Sequence, residues 1–304
     1  MGRQVDLVIV GAGPAGLAAC IYGSRAGLNT ILFDNGAPGG KLVKTHKISN
    51  YPGVLDVAGT DLAMSMFEQA TSFGASYEYG NVVNVDANKN VTLDTGEVIS
   101  SKAVIVATGT KERLLNIPGE KETIGRGVSF CAVCDGAFYR GKDVVVIGGG
   151  NSALEESLYL TRFVNSVTIV IRRDVFRAEK NIQEQVVNNE KIRIITKHVP
   201  KEVLNENGIV SGILLENVDT KETQVIFCQG IFPYVGQDPM SEILEKLDVL
   251  DEKGYVIVDS NCETKVSGIY AAGDVCQKEL RQVVTATNDG AIAAQHAFHK
   301  ITNM

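Results

Sequence analysis

Twice in this chain a continuous apolar run rich in β-branched residues is followed at once by a glycine-rich turn and then by a helical pattern. Val5 to Val10 leads into Gly11-Ala12-Gly13-Pro14-Ala15-Gly16 and a helix over Leu17 to Arg25. Asp143 to Ile147 leads into Gly148-Gly149-Gly150-Asn151-Ser152-Ala153 and a helix over Leu154 to Phe163. An apolar run of this kind reads as a parallel strand buried on both faces. Glycines at this spacing permit a tight turn, close backbone approach to a pyrophosphate, and close packing of helix on strand. The repeat predicts two nucleotide cradles on α/β scaffolds, and 304 residues is a length that suits about two domains.

The two cradles differ at the end of the next strand. The strand Thr30 to Phe33 ends at Asp34, about 20 residues beyond the first glycine turn, where a carboxylate binds ribose hydroxyls. The strand Ser166 to Ile171 ends instead on Arg172-Arg173, with Arg177 a few residues on. Arginine forks hold a 2′-phosphate that a carboxylate would repel, so the second cradle reads as an NADPH site, with a solvated basic turn as the alternative.

Between the cradles lies Cys131-Ala132-Val133-Cys134-Asp135, two thiols one helical turn apart with a carboxylate behind them. Such a dithiol can close to a small-loop disulfide and reopen. A zinc half-site is the other reading of a lone CxxC. The remaining cysteines, Cys20, Cys228, Cys262 and Cys276, form no second pair at ligand spacing, nor do the histidines complete one, so no metal is expected.

Turn signals at Pro38-Gly39-Gly40 and Asn50-Tyr51-Pro52-Gly53 flank a polar loop, and helical periodicity resumes over Leu62 to Phe73. Strands are expected within Tyr77 to Glu97, with a hairpin turn at Asp94-Thr95-Gly96, and over Lys102 to Ala107, ending in Thr108-Gly109. Pro118-Gly119, and Phe232 to Gly236 with Asp238-Pro239, read as boundaries. Ile192 to Ile195, Glu202 to Leu204, Ile209 to Leu215 and Gln224 to Ile226 read as edge and hairpin strands. Ile269 to Ala271 is a short strand leading to Asp274, and a final helix over Asn288 to Lys300 is expected to return to the first domain.

A net charge of −7 argues against nucleic acid as the main partner. The uncharged run Leu7 to Ser24 is long enough for a membrane span, but Gly11, Gly13, Pro14 and Gly16 break it, and no secretory signal is recognisable. A cytoplasmic protein is expected, and in a reducing compartment a CxxC is more often catalytic than structural.

Taken in order, GAGPAG at Gly11 to Gly16, PGGKL at Pro38 to Leu42, SNYPG at Ser49 to Gly53, ATG at Ala107 to Gly109, CAVCD at Cys131 to Asp135, GGGNSALE at Gly148 to Glu155, RRDVFRA at Arg172 to Ala178 and AAGDVCQKELRQVVTATNDG at Ala271 to Gly290 resemble the low-molecular-weight, bacterial-type thioredoxin reductases over essentially the whole chain. The resemblance implies an α/β protein of two Rossmann-like, three-layer β/β/α nucleotide-binding domains, the second inserted in the first. An FAD-binding domain would comprise residues 1–112 and 241–304, and an NADPH-binding domain carrying the dithiol residues 113–240. Gly40, Lys41, Leu42, Asn50, Ala107, Thr108, Gly109, Gly273, Asp274, Arg281, Gln282 and Val283 would join the first cradle along the FAD. Gly148, Gly150, Asn151, Ser152, Ala153, Arg172, Arg173 and Arg177 would hold NADPH. Cys134 would face the isoalloxazine, Cys131 would exchange with thioredoxin, and Asp135 would be the acid/base, against the alternative of a helix charge without a proton role. A homodimer is implied in the same way.

Hydride must reach the flavin and electrons must leave it for the disulfide, yet dithiol and NADPH cradle share the inserted domain. The order of motifs therefore predicts domain rotation between two states, with hinges near Lys111 to Leu115 and Val235 to Ser241. The Cys131 thiol pKa is expected to be lowered near a helix start. Three departures from the family stand out: Ile171 where histidine is usual, Val133 where threonine is common, and Cys276, expected as a buried inert thiol. Other readings are a reductase of a different redoxin, a peroxiredoxin-system reductase, a thiol oxidase of a small dithiol, and a flavin-bound redox sensor. The second of these carries an additional N-terminal thioredoxin-like region, whereas here a first strand is expected at the start of the sequence.

Overall fold

The computed structural model describes residues 3–45, 48 and 50–303, without the side chains of residues 133 and 134. The chain forms two compact units, one of residues 1–111 and 238–304, the other of residues 112–237. The segments that pass between them, Thr110–Glu112 and Gln237–Pro239, pair as a two-stranded ribbon. Among the described residues no helix is long and apolar enough to cross a membrane.

The first unit is built on a seven-stranded sheet. Ser76–Tyr79, Thr30–Asp34, Arg3–Val10 and Val98–Val106 run parallel side by side, Ile269–Ala271 adds in parallel to Val98–Val106, and Asn90–Leu93 and Val82–Val85 continue antiparallel. The register puts Val10 opposite both Phe33 and Val106, and Val106 opposite Ala271. Four parallel strands therefore end at one level, and Gly11, Asp34, Ala107 and Ala272-Gly273 emerge together at the carboxyl edge, where open α/β sheets bind ligands. One face of the sheet packs on the helices Pro14–Arg25, Gly59–Ser72 and Val283–Thr302 through Leu7, Ile9, Leu17, Leu32 and Ile105. Val8, Phe33, Val91, Val104 and Val256 fill the other face.

The second unit has a four-stranded parallel sheet in the order Ile192–Ile195, Ser166–Val170, Asp143–Ile147, Gly230–Pro233. The helices Asn151–Leu160 and Lys180–Val187 cover one face. A three-stranded antiparallel sheet, His198–Glu206, Ile209–Asn217 and Thr223–Phe227, lies on the other, where Val145 and Ile147 meet Val203, Ile213 and Leu215. In this unit the layers run β/β/α, as the expected fold class has it.

Several element readings change. Phe232, read as part of a boundary, lies in the buried strand Gly230–Pro233. This strand is at the sheet edge, where the missing N–H of Pro233 is tolerated. Ile192–Ile195, read among the edge and hairpin strands, is the other edge of the parallel sheet. The last helix starts at Val283, five residues before Asn288, because Gln282 and Thr285 form a reciprocal capping box. It does return to the first unit, packing on Pro14–Arg25.

Candidate active site

At the first cradle the glycines are used for three different purposes. Gly11 has φ +105°, and a Cβ there would stand 2.4 Å from the Ala107 carbonyl oxygen. A Cβ on Gly16 would lie 1.7 Å from the oxygen of Gly11, so these two permit backbone contact. A Cβ on Gly13 would meet nothing within 4 Å: the space above the helix start, where Pro14 and Ala15 begin the first turn, is open. That opening at a helix N-terminus suits a pyrophosphate. Asp34 ends its strand with Oδ2 accepting from the Ala12 amide at 2.6 Å and Oδ1 from Gly36 at 2.7 Å, which ties the ribose candidate to the glycine turn itself.

The later segments reach the same edge of this unit. Gly40 packs against Gly13, Leu42 is buried behind it, and Lys41 Nζ donates to Thr110 Oγ1 at 2.5 Å. Asn50 Nδ2 donates to Gln282 Oε1 at 3.0 Å, joining residues 232 apart in sequence. Arg281 lies over the Tyr255 ring at 4.3 Å and donates to the carbonyls of Asp274 and Cys276, both at 3.2 Å. Burial pushes the Asp274 carboxyl up, while Lys41, Arg281 and Lys278 pull it down. Thr108 is used differently from the rest, its hydroxyl donating to the Met240 carbonyl at 2.5 Å, and Gly109 accepts from the Met240 amide at 2.9 Å. Sequence reading missed Asp289, which accepts from the Gly273 amide at 2.9 Å and closely pairs with Lys278. Ser49, the first residue of SNYPG, lies outside the described residues.

In the second unit Gly148 has φ +144° and would carry a Cβ 2.3 Å from the Tyr234 carbonyl oxygen, whereas Gly150 faces open space. Ala153 is buried beneath the turn, and Ser152 is exposed at the helix start. Asn151 accepts from the Glu179 amide at 2.8 Å and donates to its carboxylate at 3.1 Å. The Arg177 amide donates to the Gly149 carbonyl at 2.7 Å, so the arginine loop is fastened to the glycine turn. Arg172, Arg173 and Arg177 are all exposed, and none of their guanidinium groups is held in an ion pair among the described residues. Ile171 is buried in the core under Gly149 and points no polar atom at the loop.

The dithiol segment belongs to this same unit. Cys131 is disulfide-bonded, while Cys20, Cys228, Cys262 and Cys276 are free and buried. The helix Ala132–Asp135 includes Cys134, whose side chain, like that of Val133, lies outside the described residues. Ser129, missed in the sequence, holds the segment together: its hydroxyl donates to Asp135 Oδ2 at 2.6 Å and accepts from the Cys131 amide at 3.2 Å. A serine two residues before a cysteine has the reach of a local side-chain turn, and that was its only signal. Tyr234 accepts from the Ala132 amide at 3.2 Å, and nothing in the sequence connects residues 102 apart. Burial pushes the Cys228 thiol up to about 12 and the Cys276 thiol higher, so both are protonated and unreactive.

The pyridine nucleotide-disulphide oxidoreductase family model matches residues 5–290. The thioredoxin reductase of Bacillus subtilis (strain 168) is 45% identical over 301 residues, covering 98% of this chain and 95% of that protein. That of Listeria innocua is 43% identical over 295 residues, covering 96% and 92%. Among solved structures, Lactococcus lactis thioredoxin reductase aligns with a TM-score of 0.95 at 43% identity over 99% of this chain and 100% of that one. The T. acidophilum thioredoxin reductase aligns at 0.90 and 32% identity, over 98% and 99%.

Proposed function

The chain belongs to the pyridine nucleotide-disulphide oxidoreductase family, and from that membership we propose that it is an NADPH-dependent thioredoxin-disulfide reductase. Its cofactors are FAD and NADPH. The observation that carries the reading is that Cys131 is bonded in a disulfide and belongs to the unit with the arginine-flanked cradle, while Cys20, Cys228, Cys262 and Cys276 are buried free thiols.

FAD, when bound, would supply acceptance of a hydride from NADPH and delivery of an electron pair to the disulfide; the remaining chemistry belongs to this chain. Gly11, Gly13, Pro14, Ala15 and Gly16 hold the pyrophosphate and Asp34 a ribose, with Gly40, Lys41, Asn50, Asp274, Arg281 and Gln282 along the flavin. Arg172, Arg173 and Arg177 grip the 2′-phosphate of NADPH. Each turnover consumes NADPH, one proton and the thioredoxin disulfide, and yields NADP⁺ and the thioredoxin dithiol. Cys131 attacks the thioredoxin disulfide, Cys134 resolves the mixed disulfide, and Asp135, held by Ser129, moves the proton. Cradle and dithiol share one unit while the flavin residues lie on the other, which supports an alternation of the units about the segments Thr110–Glu112 and Gln237–Pro239. A homodimer in the cytoplasm follows from the resemblance.

The test follows NADPH oxidation with thioredoxin and a disulfide reporter in Cys131→Ser and Cys134→Ser proteins. Both are expected to keep FAD and lose disulfide reduction. A variant that still reduces thioredoxin overturns the assignment.

A further inference from the structure

The helix Val283–Thr302 packs on the cradle helix Pro14–Arg25 through a buried face of small residues, Ala286, Gly290, Ala293, Ala294 and Ala297. Asp289 stands on that same face, three residues after Ala286 and four before Ala293. Its side chain is 15% exposed, and a carboxylate so placed is costly unless it is paired and hydrogen-bonded. Both conditions are met. Asp289 Oδ2 accepts from the Gly273 amide at 2.9 Å and pairs directly with Lys278 Nζ, whose own side chain is 17% exposed. The ion pairs Lys111–Glu242 and Lys265–Asp248, by contrast, stand mostly in solvent.

The place of the pair matters as much as its burial. A Cβ on Gly273 would stand 2.8 Å from the Ala15 Cβ, and a Cβ on Gly290 would stand 2.1 Å from the Ala15 carbonyl oxygen. The residue that Asp289 holds and the residue that follows it therefore both close on Ala15, in the first turn of the cradle helix. That turn is where the FAD pyrophosphate is read to bind. A bare carboxylate here would oppose the pyrophosphate, whereas one covered by an ammonium would not. Burial raises the neighbouring Asp274 carboxyl; Lys278 pulls it down and Asp289 pushes it up, so the two charges oppose each other there as well.

We propose that Asp289 is a positioning residue that clasps Gly273 against the pyrophosphate turn, and that Lys278 is its counter-ion, cancelling a charge that would otherwise repel FAD. The inference rests on the reading of the first cradle as the FAD site.

A pair that only braced the loop would fail whichever partner was removed. A counter-ion makes the partners unequal. Loss of Lys278 leaves a bare carboxylate beside the pyrophosphate, while loss of the Asp289 charge leaves an ammonium that attracts it. Asparagine keeps an oxygen that can accept the Gly273 amide, so Asp289→Asn removes the charge and spares the clasp.

The test is equilibrium dialysis of the FAD-loaded full chain against graded free FAD, with far-UV circular dichroism confirming that each variant is folded. Lys278→Met should weaken FAD binding about tenfold or more, because it uncovers a partly buried charge. Lys278→Arg, which keeps the pair, should stay within about threefold of the wild type. Asp289→Asn should bind FAD at least as tightly as the wild type. Added to Lys278→Met, it should restore affinity to within about threefold of the wild type. Lys278→Met binding within about threefold of the wild type overturns the proposal, as does a double variant as weak as Lys278→Met. Should Lys278→Met fail to fold, Asp289→Asn decides alone: a loss beyond about threefold overturns the counter-ion role. A wild-type chain that holds no FAD at any concentration overturns the reading of the cradle itself, an outcome distinct from any difference among the variants.

Discussion

The contact that carries the first cradle can be tested with two alanines. Gly290 lies where the helix Val283–Thr302 crosses Pro14–Arg25, and a Cβ there would stand 2.1 Å from the Ala15 carbonyl oxygen and 3.0 Å from the Ala19 nitrogen. To reach the 3.4 Å at which ordinary contact begins, the oxygen must retreat by about 1.3 Å. That oxygen is backbone, in the first turn of the cradle helix, so no side-chain rotation relieves the clash. Overpacking of this kind costs about 1–3 kcal/mol, against which alanine in a helix returns about 1 kcal/mol over glycine. A net loss of up to about 2 kcal/mol should lower the melting temperature of the flavin-free protein by up to about 8 °C. Because Ala15 moves with the turn, FAD retention measured by absorbance should also fall. Gly13→Ala is the contrast: its Cβ meets no protein atom within 4 Å and its φ is −74°. The melting temperature of the flavin-free protein should stay within about 2 °C, since the cap change is worth a few tenths of a kcal/mol, while FAD affinity falls because the methyl group enters the pyrophosphate space. A raised melting temperature for Gly290→Ala, or an unchanged one together with undiminished FAD retention, would refute the argument from close approach. Loss of fold in Gly13→Ala would refute the assignment of the open space to a ligand.

Arg172→Ala and Arg177→Ala should each raise the KM for NADPH about ten- to a hundredfold, from about 1.5–3 kcal/mol per charged hydrogen bond, with NADH kinetics unmoved. Equal effects on both nucleotides would show that the arginines do not read the 2′-phosphate. Ser129→Ala removes the hydroxyl shared by Asp135 and the Cys131 amide, and should slow thioredoxin reduction while leaving anaerobic flavin reduction by NADPH intact; stopped-flow traces separate the two. Native oxidised protein should take up no iodoacetamide and denatured, unreduced protein should take up four equivalents, since Cys20, Cys228, Cys262 and Cys276 are free and buried; fast native labelling of Cys276 would contradict its inertness. Asp6 is held below the usual carboxylate range by the hydrogen bond from Lys102 and the Asn29 amide. Its contribution is present above about pH 4 and lost as pH falls through the lower folded value. Asp6→Asn should therefore lower urea stability at neutral pH by at most about 1 kcal/mol and have no effect near pH 2.

The features legible in the letters and those that are not divide by the range of the interaction. Val5 to Val10 and Asp143 to Ile147 announce buried parallel strands because every position but Asp6 and Asp143 is apolar, and Gly11 and Gly148 announce their turns because no other residue fits the φ the chain needs there. Asp34 was legible for a similar reason: its offset from the glycine turn brings it back to the Ala12 amide along two adjacent parallel strands. The strand Gly230–Pro233 was lost because Pro233 and Gly236 are the usual punctuation of a loop, and only the sheet decides that this strand is an edge where proline is permitted. The first turn of the last helix was lost because Val283, Val284, Thr285 and Thr287 are poor helix formers on their own. The capping box and the packing against Pro14–Arg25 override that preference, and both require three-dimensional neighbours. The dithiol shows the same limit most sharply. Its two cysteines are visible in five letters, but the groups that hold them are a serine two residues upstream and a tyrosine at the carboxyl end of a strand 102 residues away. A redox pair is thus legible as chemistry, whereas the control of that chemistry lies in side chains that only the assembled sheet brings to it.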